Sequence, residues 1–131
     1  MLLAHARPDR LNVTLTSLRA VRGVDASRVF ILQDGADEEV RDVAVASDFR
    51  RVPLPGGDAP RKAESAEEKR SGSAIARAYR HALSHTFDVL TDDTALLVVE
   101  DDLLFSPDLM DYFLAAHHVL QADKTLWCVS A

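Results

Sequence analysis

Five apolar residues in a row, Ala95-Leu96-Leu97-Val98-Val99, run straight into three carboxylates, Glu100-Asp101-Asp102. A strand with one wet face alternates apolar and polar side chains, so an unbroken apolar run reads as a strand covered on both faces. Such strands belong to parallel sheets flanked by helices, which confines the chain to the α/β class. The carboxylates are not there for packing. Like charges this close repel, and burying them unpaired is expensive. A hard cation such as Mg2+ or Mn2+ takes oxygen ligands and relieves both problems. Ligands of open α/β sheets bind just outside the carboxyl ends of the strands. Position and chemistry therefore agree on a metal-assisted site for a phosphate-bearing ligand. The plainer reading of the same residues is a solvated strand end with charged turn residues.

The rest of the chain alternates strand and helix signals. Met1–Ala4 reads as the end of a first strand. Pro8-Asp9 then opens a helix with Leu11, Leu15 and Leu18 at helical spacing. Val29–Leu32 is a second strand, stopped by Gln33-Asp34-Gly35, and Asp37 to Ala46 is a short helix carrying Val40, Val43 and Val45. Phe49 to Leu54 is a third strand, closed by Pro53, Pro55 and Gly56-Gly57. Charged and small residues from Asp58 to Arg70 read as a mobile loop. The next helix is expected to present Ile75, Tyr79, Ala82, Leu83 and Phe87 on one face. After the Ala95–Val99 strand, Ser106 reads as a helix cap with Pro107 at the first helical position. Leu109, Phe113, Ala116 and Leu120 continue that helix, and Leu126–Ser130 reads as a fifth strand. This rhythm predicts one domain over residues 1–131, a mostly parallel sheet with helices on both faces. It also predicts a domain incomplete at its carboxyl end, because the fifth strand contributes nothing beyond its own tip.

Composition removes several classes of function. With 131 residues, 47% hydrophobic and 27% charged, the chain has material for a packed core and does not read as disordered. A net charge of -6 argues against nucleic acid as the main partner, since a phosphate backbone needs a basic face. The single cysteine, Cys128, sits among apolar residues and reads as a buried, inert thiol. No run approaches the ~20 apolar residues of a membrane span, so no membrane contact is expected from this sequence. Nothing after Met1 reads as a signal peptide.

Other chemistry-bearing residues are weaker in isolation. Arg7, between the first strand and its helix, suits an anion or a stacked base, or is simply a surface arginine before a helix start. Asp34 follows the second strand and by itself reads as a turn residue beside Gly35. Taken with the acids, however, three strands deliver charged groups to one sheet edge, which a ligand cleft explains. His81 and His85, four apart on a helix, have chelating spacing but no following glutamate, so the zinc-protease pattern is absent. The adjacent His117 and His118 point apart, and Arg77 and Arg80 read as a solvated face. There is no Gly-x-x-x-x-Gly-Lys-Ser/Thr loop, no Gly-x-Gly-x-x-Gly turn and no nucleophile elbow. A phosphate would therefore be held by metal, not by a glycine-rich cradle.

Several segments resemble the N-acetylglucosaminyltransferase I family, which includes the protein O-mannose N-acetylglucosaminyltransferases. They are Val98-Val99-Glu100-Asp101-Asp102-Leu103, Ser106-Pro107-Asp108, Tyr112-Phe113, Leu120-Gln121-Ala122-Asp123 and Leu126–Ala131. The helix Ala76–Leu83 is similar to the family's segment before this strand. His5-Ala6-Arg7-Pro8 and Gln33-Asp34-Gly35 look like its first two nucleotide-contacting turns. The resemblance implies a Rossmann-like GT-A nucleotide-sugar fold. It implies transfer of GlcNAc from UDP-GlcNAc, with inversion and Mn2+, to a mannose on a glycoprotein acceptor in the Golgi lumen. By position it implies Asp102 as metal ligand, Asp101 and Glu100 at the ribose and donor sugar, and Arg7 and Asp34 around the uracil. Ala78 stands where the family often has a histidine, and the Pro55–Arg70 loop is unlike the family's.

The family's acceptor side and base follow its last strand, so no catalytic base is assigned here, and a donor-binding half is expected. Two other readings compete. One is a non-catalytic GT-A-like nucleotide-binding module. The other is a receiver-like signalling domain, in which Val98–Asp102 would be the first strand and its acid pair. A receiver needs about 100 residues beyond that point, and too few follow Asp102.

Overall fold

The computed structural model describes residues 1–54, 73–89 and 95–131. The loop read at Asp58–Arg70 lies outside the described residues. Among the described residues four strands form one sheet: β1 (Leu2–Ala4), β2 (Phe30–Gln33), β3 (Arg50–Pro53) and β4 (Val99–Glu100). Among the described residues four α-helices accompany them: α1 (Pro8–Arg19), α2 (Glu38–Ala46), α3 (Ser73–Val89) and α4 (Leu109–Ala122). The strand order is β3-β2-β1-β4, and every described pairing is parallel. The α/β class and the helix-flanked parallel sheet are as the sequence predicts, an architecture consistent with a Rossmann-like GT-A domain.

The order of the strands explains where the helices lie. From β1 the chain steps outward to β2 and β3, then returns across the sheet to β4 on the other side of β1. Parallel crossovers are right-handed, so reversing the direction of travel puts the helix on the opposite face. One core joins Leu11, Leu15 and Leu18 of α1 and Val40 and Ala44 of α2 to Leu2, Ala4, Ile31 and Val99. The other joins Ala78 and Ala82 of α3 to Phe30, Leu32 and Val52. The run before the acids serves both: Leu97 and Val99 pack on the first core, Leu96 and Val98 on the second. Of that run only Val99 pairs in the ladder, opposite Leu2, and Glu100 follows it opposite Leu3.

Local chemistry sets the element ends. Pro8 opens α1, where its missing N–H costs nothing. The Asp37 carboxylate caps α2 by accepting from Val40 N at 2.9 Å. Helix α4 begins at Leu109, later than Ser106-Pro107 suggests. Ser106 Oγ bonds Asp108 instead of a helix N–H, and Leu109 N reaches back to Ser106 O in a turn.

Four expectations need correction. Of the expected α3 face Ile75, Tyr79, Ala82, Leu83 and Phe87, only part lies against the sheet: Ala82 is buried and Leu83 packs on the same core, but the two ends of the stripe do not. Ala78, Ala82 and Thr86 are buried, while Ile75 and Phe87 are exposed, because small side chains let the helix axis lie close to the sheet and the larger ones splay outward. On α2, Val45 likewise faces solvent. The fifth strand is absent: Leu126–Ser130 forms no ladder, and Trp127 is 89% exposed. Apolar sequence alone makes no strand without a neighbouring backbone to bond. Cys128 is consequently exposed, not buried.

Candidate functional site

A parallel sheet brings the carboxyl ends of its strands to one edge. The order β3-β2-β1-β4 sets the tips of β1 and β4 side by side where the strand order reverses, the point at which open α/β sheets offer a ligand crevice. The tip of β1 carries His5 and Arg7, and the tip of β4 carries Glu100, Asp101 and Asp102. The two tips are in contact. Arg7 Nη2 donates to Asp101 Oδ1 at 2.6 Å and Arg7 Nη1 to Asp102 Oδ2 at 2.8 Å. His5 N donates to the other Asp101 oxygen at 3.1 Å.

The three neighbouring acids thus occupy different environments. Asp101 is 2% exposed, and both of its oxygens are taken. A buried carboxylate is tolerable only with such partners. Asp102 lies nearer the surface, its side chain 31% exposed, and only Oδ2 is engaged by Arg7. Glu100 accepts from the Tyr79 hydroxyl at 2.6 Å, which ties α3 to the same strand end. Burial opposes charge on the Arg7 guanidinium, but Asp101 and Asp102 outweigh it and hold its pKa above the ordinary value.

The tip of β2 joins from the other side of β1. Asp34 N donates to Ala4 O at 2.8 Å, and the His5 ring bonds the Asp34 carbonyl through Nδ1–H. Because a carbonyl only accepts, that contact fixes the proton on Nδ1. Gly35 follows with φ +109°, and a Cβ there would lie 3.3 Å from His5 Nδ1, so both backbone and space select glycine. Behind this turn Gln33 is buried. It donates to Asp37 O at 2.7 Å and accepts from Arg51 Nε at 2.8 Å, so the loop bearing Asp34 is held from below. The structure therefore brings Arg7, Asp34, Asp101 and Asp102 to one edge through the β1 tip. Glu100 turns toward α3.

Sequence reasoning missed the anchors. Tyr79 reads as one more helix-face residue, yet it reaches Glu100. Thr14 donates to Leu103 O at 2.9 Å, and Ser17 Oγ accepts from Phe105 N at 3.2 Å, pinning the segment after Asp102 onto α1. The legible signal was a hydroxyl pair three apart within an otherwise apolar stripe. An open depression of about 370 Å³ lies between α1 and this segment, lined by Asp9, Arg10, Val13, Thr14, Asp102, Leu103 and Leu104. His81 and the Arg77–Arg80 pair lie on the solvent side of α3.

Tyr79 carries a measurable pH signature. Burial, together with the hydrogen bond to Glu100 and its charge, pushes the phenol up to about 12, from an ordinary value of about 10. Between these values the folded chain keeps a proton that the unfolded chain has released, so stability falls as pH rises through that window. The contribution is full below about pH 10 and gone above about pH 12. Solvent screening of a half-buried pair limits it to about 1 kcal/mol. Tyr79→Phe is expected to flatten this alkaline limb in urea-midpoint measurements. An identical limb in the variant would show that Tyr79 does not cause it.

A family model described as the GNT-I family matches residues 1–131. The chain belongs to the GNT-I family. The alpha-1,3-mannosyl-glycoprotein 2-beta-N-acetylglucosaminyltransferase of Arabidopsis thaliana is a relative with 29% identity over 133 residues, 100% of this chain and 30% of the relative. This GNT-I chain thus spans about 30% of that relative's length. Membership disposes of the receiver reading, as does the placement of Asp101-Asp102 at the end of the sheet's fourth strand.

A divalent ion is implied by the family, and the donor set must fit it. Among the described residues no group of three or more His, Cys, Asp or Glu forms a closed cage. Mg2+-like ions do not need one: they bind through one or two carboxylates, with substrate phosphates and water as the other ligands. Asp102, partly exposed and with Oδ1 outside the Arg7 pair, fits that share. Among the described residues no helix is long and apolar enough to cross a membrane.

Proposed function

We propose that this chain is the donor-binding part of an N-acetylglucosaminyltransferase that takes UDP-GlcNAc and Mn2+ at the β1–β4 crevice and transfers GlcNAc to a mannose of a glycoprotein acceptor. The observation that carries this reading is the meeting of Arg7, Asp101 and Asp102 at the point where the strand order reverses. A nucleotide diphosphate needs cationic and metal partners there, and the residue types supply both.

Asp102 would hold the metal, whose charge offsets that building on the departing diphosphate. Asp101, locked by His5 N and Arg7, fixes the crevice floor next to the ribose and sugar. Glu100, oriented by Tyr79, borders the same strand end on the α3 side. Asp34 and Arg7 flank the β1 tip, where the base and its attached phosphate would lie. Orientation by such fixed groups is what an in-line displacement requires. The family's acceptor chemistry and its Golgi setting belong to this proposal as well.

Calorimetry tests it directly. UDP-GlcNAc is expected to bind the chain in millimolar-range MnCl2, a usual excess for such ions, and to lose most of that affinity in EDTA. Equal heats with and without metal would point to a nucleotide module without a metal role. No binding in either condition would remove the donor reading.

A further inference from the structure

We propose that Arg7 couples the metal and the nucleotide: it serves as the built-in counter-cation of the acid tip, and it releases Asp102 to an arriving divalent ion so that its freed arm can take a phosphate oxygen. This rests on the donor reading above and adds an order of events to it. The two arms of the guanidinium are not equivalent. Nη2 is bonded to an Asp101 side chain 3% exposed, where an ion has no access. Nη1 is bonded to the partly exposed Asp102, where an ion does. One contact is therefore permanent and the other exchangeable.

Three features make the exchange physically reasonable. Arg7 cannot shed its proton to make room, because a guanidinium stays charged in proteins. A dication on the Asp102 carboxylate would sit within a few ångströms of Nη1, and like charges that close separate. The side chain can respond, since it is 49% exposed, while its backbone is fixed by Leu11 N donating to Arg7 O at 2.9 Å and by Pro8 at the helix start. Swinging Nη1 away while Nη2 stays on Asp101 leaves a cationic donor facing the crevice. An anion entering after the ion then meets a donor that was occupied before. Metal and nucleotide must accordingly strengthen each other's binding, and by linkage equally.

The test compares wild type with Arg7→Gln and Arg7→Lys, reading Mn2+ alone by loss of the free-ion EPR signal and UDP by calorimetry at saturating Mn2+. Arg7→Gln removes the competitor for Asp102, so Mn2+ alone is expected to bind about tenfold tighter, while UDP binds about tenfold weaker. Arg7→Lys keeps the charge without the fork and should leave Mn2+ affinity near wild type. Unchanged or weaker Mn2+ binding by a folded Arg7→Gln variant overturns the proposal. Should that variant not fold, the Nε–Hε resonance of Arg7 in the wild-type chain decides: it must shift on adding Mg2+ alone, and a stationary signal overturns the proposal. Failure of the wild type to bind Mn2+ or UDP removes the donor reading itself, whereas normal wild-type binding with an unresponsive Arg7 removes only the coupling.

Discussion

Asp102→Ala is expected to weaken UDP-GlcNAc binding in Mn2+ by about 100-fold, roughly 2.7 kcal/mol, and not to lower the residual affinity in EDTA, where the variant leaves Arg7 Nη1 free for the nucleotide. The two conditions separate the roles this side chain plays. It is the most exposed acid engaged by Arg7 at the crevice, and one oxygen stays outside that pair. Without metal its only described partner is Arg7, which keeps Asp101 when Asp102 is lost, so the fold has little reason to suffer. With metal, the protein loses its anionic ligand, and the diphosphate must hold the ion alone. Asp102→Asn keeps size and one oxygen but not the charge that a hard cation selects. It should behave like alanine in Mn2+. A loss of the same size in Mn2+ and in EDTA would make Asp102 a structural residue and end the metal assignment.

Leu32→Ala should lower stability by about 3 kcal/mol, within the range for emptying a fully buried leucine site. Leu32 sits in the middle of β2, has no exposed surface, and packs toward Ala78 and Ala82 of α3. Small domains have only about 5–15 kcal/mol to lose, so the urea midpoint should drop markedly with an unchanged slope. Leu126→Ala is the companion measurement. Leu126 is 41% exposed and outside both cores, so the change should stay within about 0.5 kcal/mol. Equal losses at the two positions would show that the carboxyl-terminal run packs in solution, against the structure.

The contrast between these leucines explains what could be read in advance. Ile31 and Leu32 announce a strand because β2 lies between two neighbours and both of its faces are covered. Leu126-Trp127-Cys128-Val129 has the same apolar character. Whether such a run becomes a strand depends on a partner edge that local sequence does not describe. Helix α1 was legible from Pro8 and the leucine spacing, and α2 from Asp37. Helix α3 is legible only in part: Ala82 and Leu83 lie against the sheet as their spacing predicts, but so does the small Ala78, while the larger Ile75 and Phe87 do not.

The site divides in the same way. Three carboxylates after an apolar run are conspicuous in one dimension, and so the edge of the sheet was found. Their partners are distant in sequence, 94 residues for Arg7 and Asp101 and 21 for Tyr79 and Glu100. No periodicity links such pairs. Arg7 could be read as facing an anion, but not as already holding two of the chain's own.

The position of β1 has a consequence for biosynthesis. Leu2 lies beside Ile31 on one flank and beside Val99 on the other. The residues of β1 therefore acquire their second neighbour only after β4, about 97 residues later in the chain, has emerged. At about 5–20 residues per second, β1 waits several seconds with one edge open, dependent on β2 and α1 for shelter. Slow vectorial assembly of this kind makes the nascent chain, more than the finished one, the state exposed to chaperones.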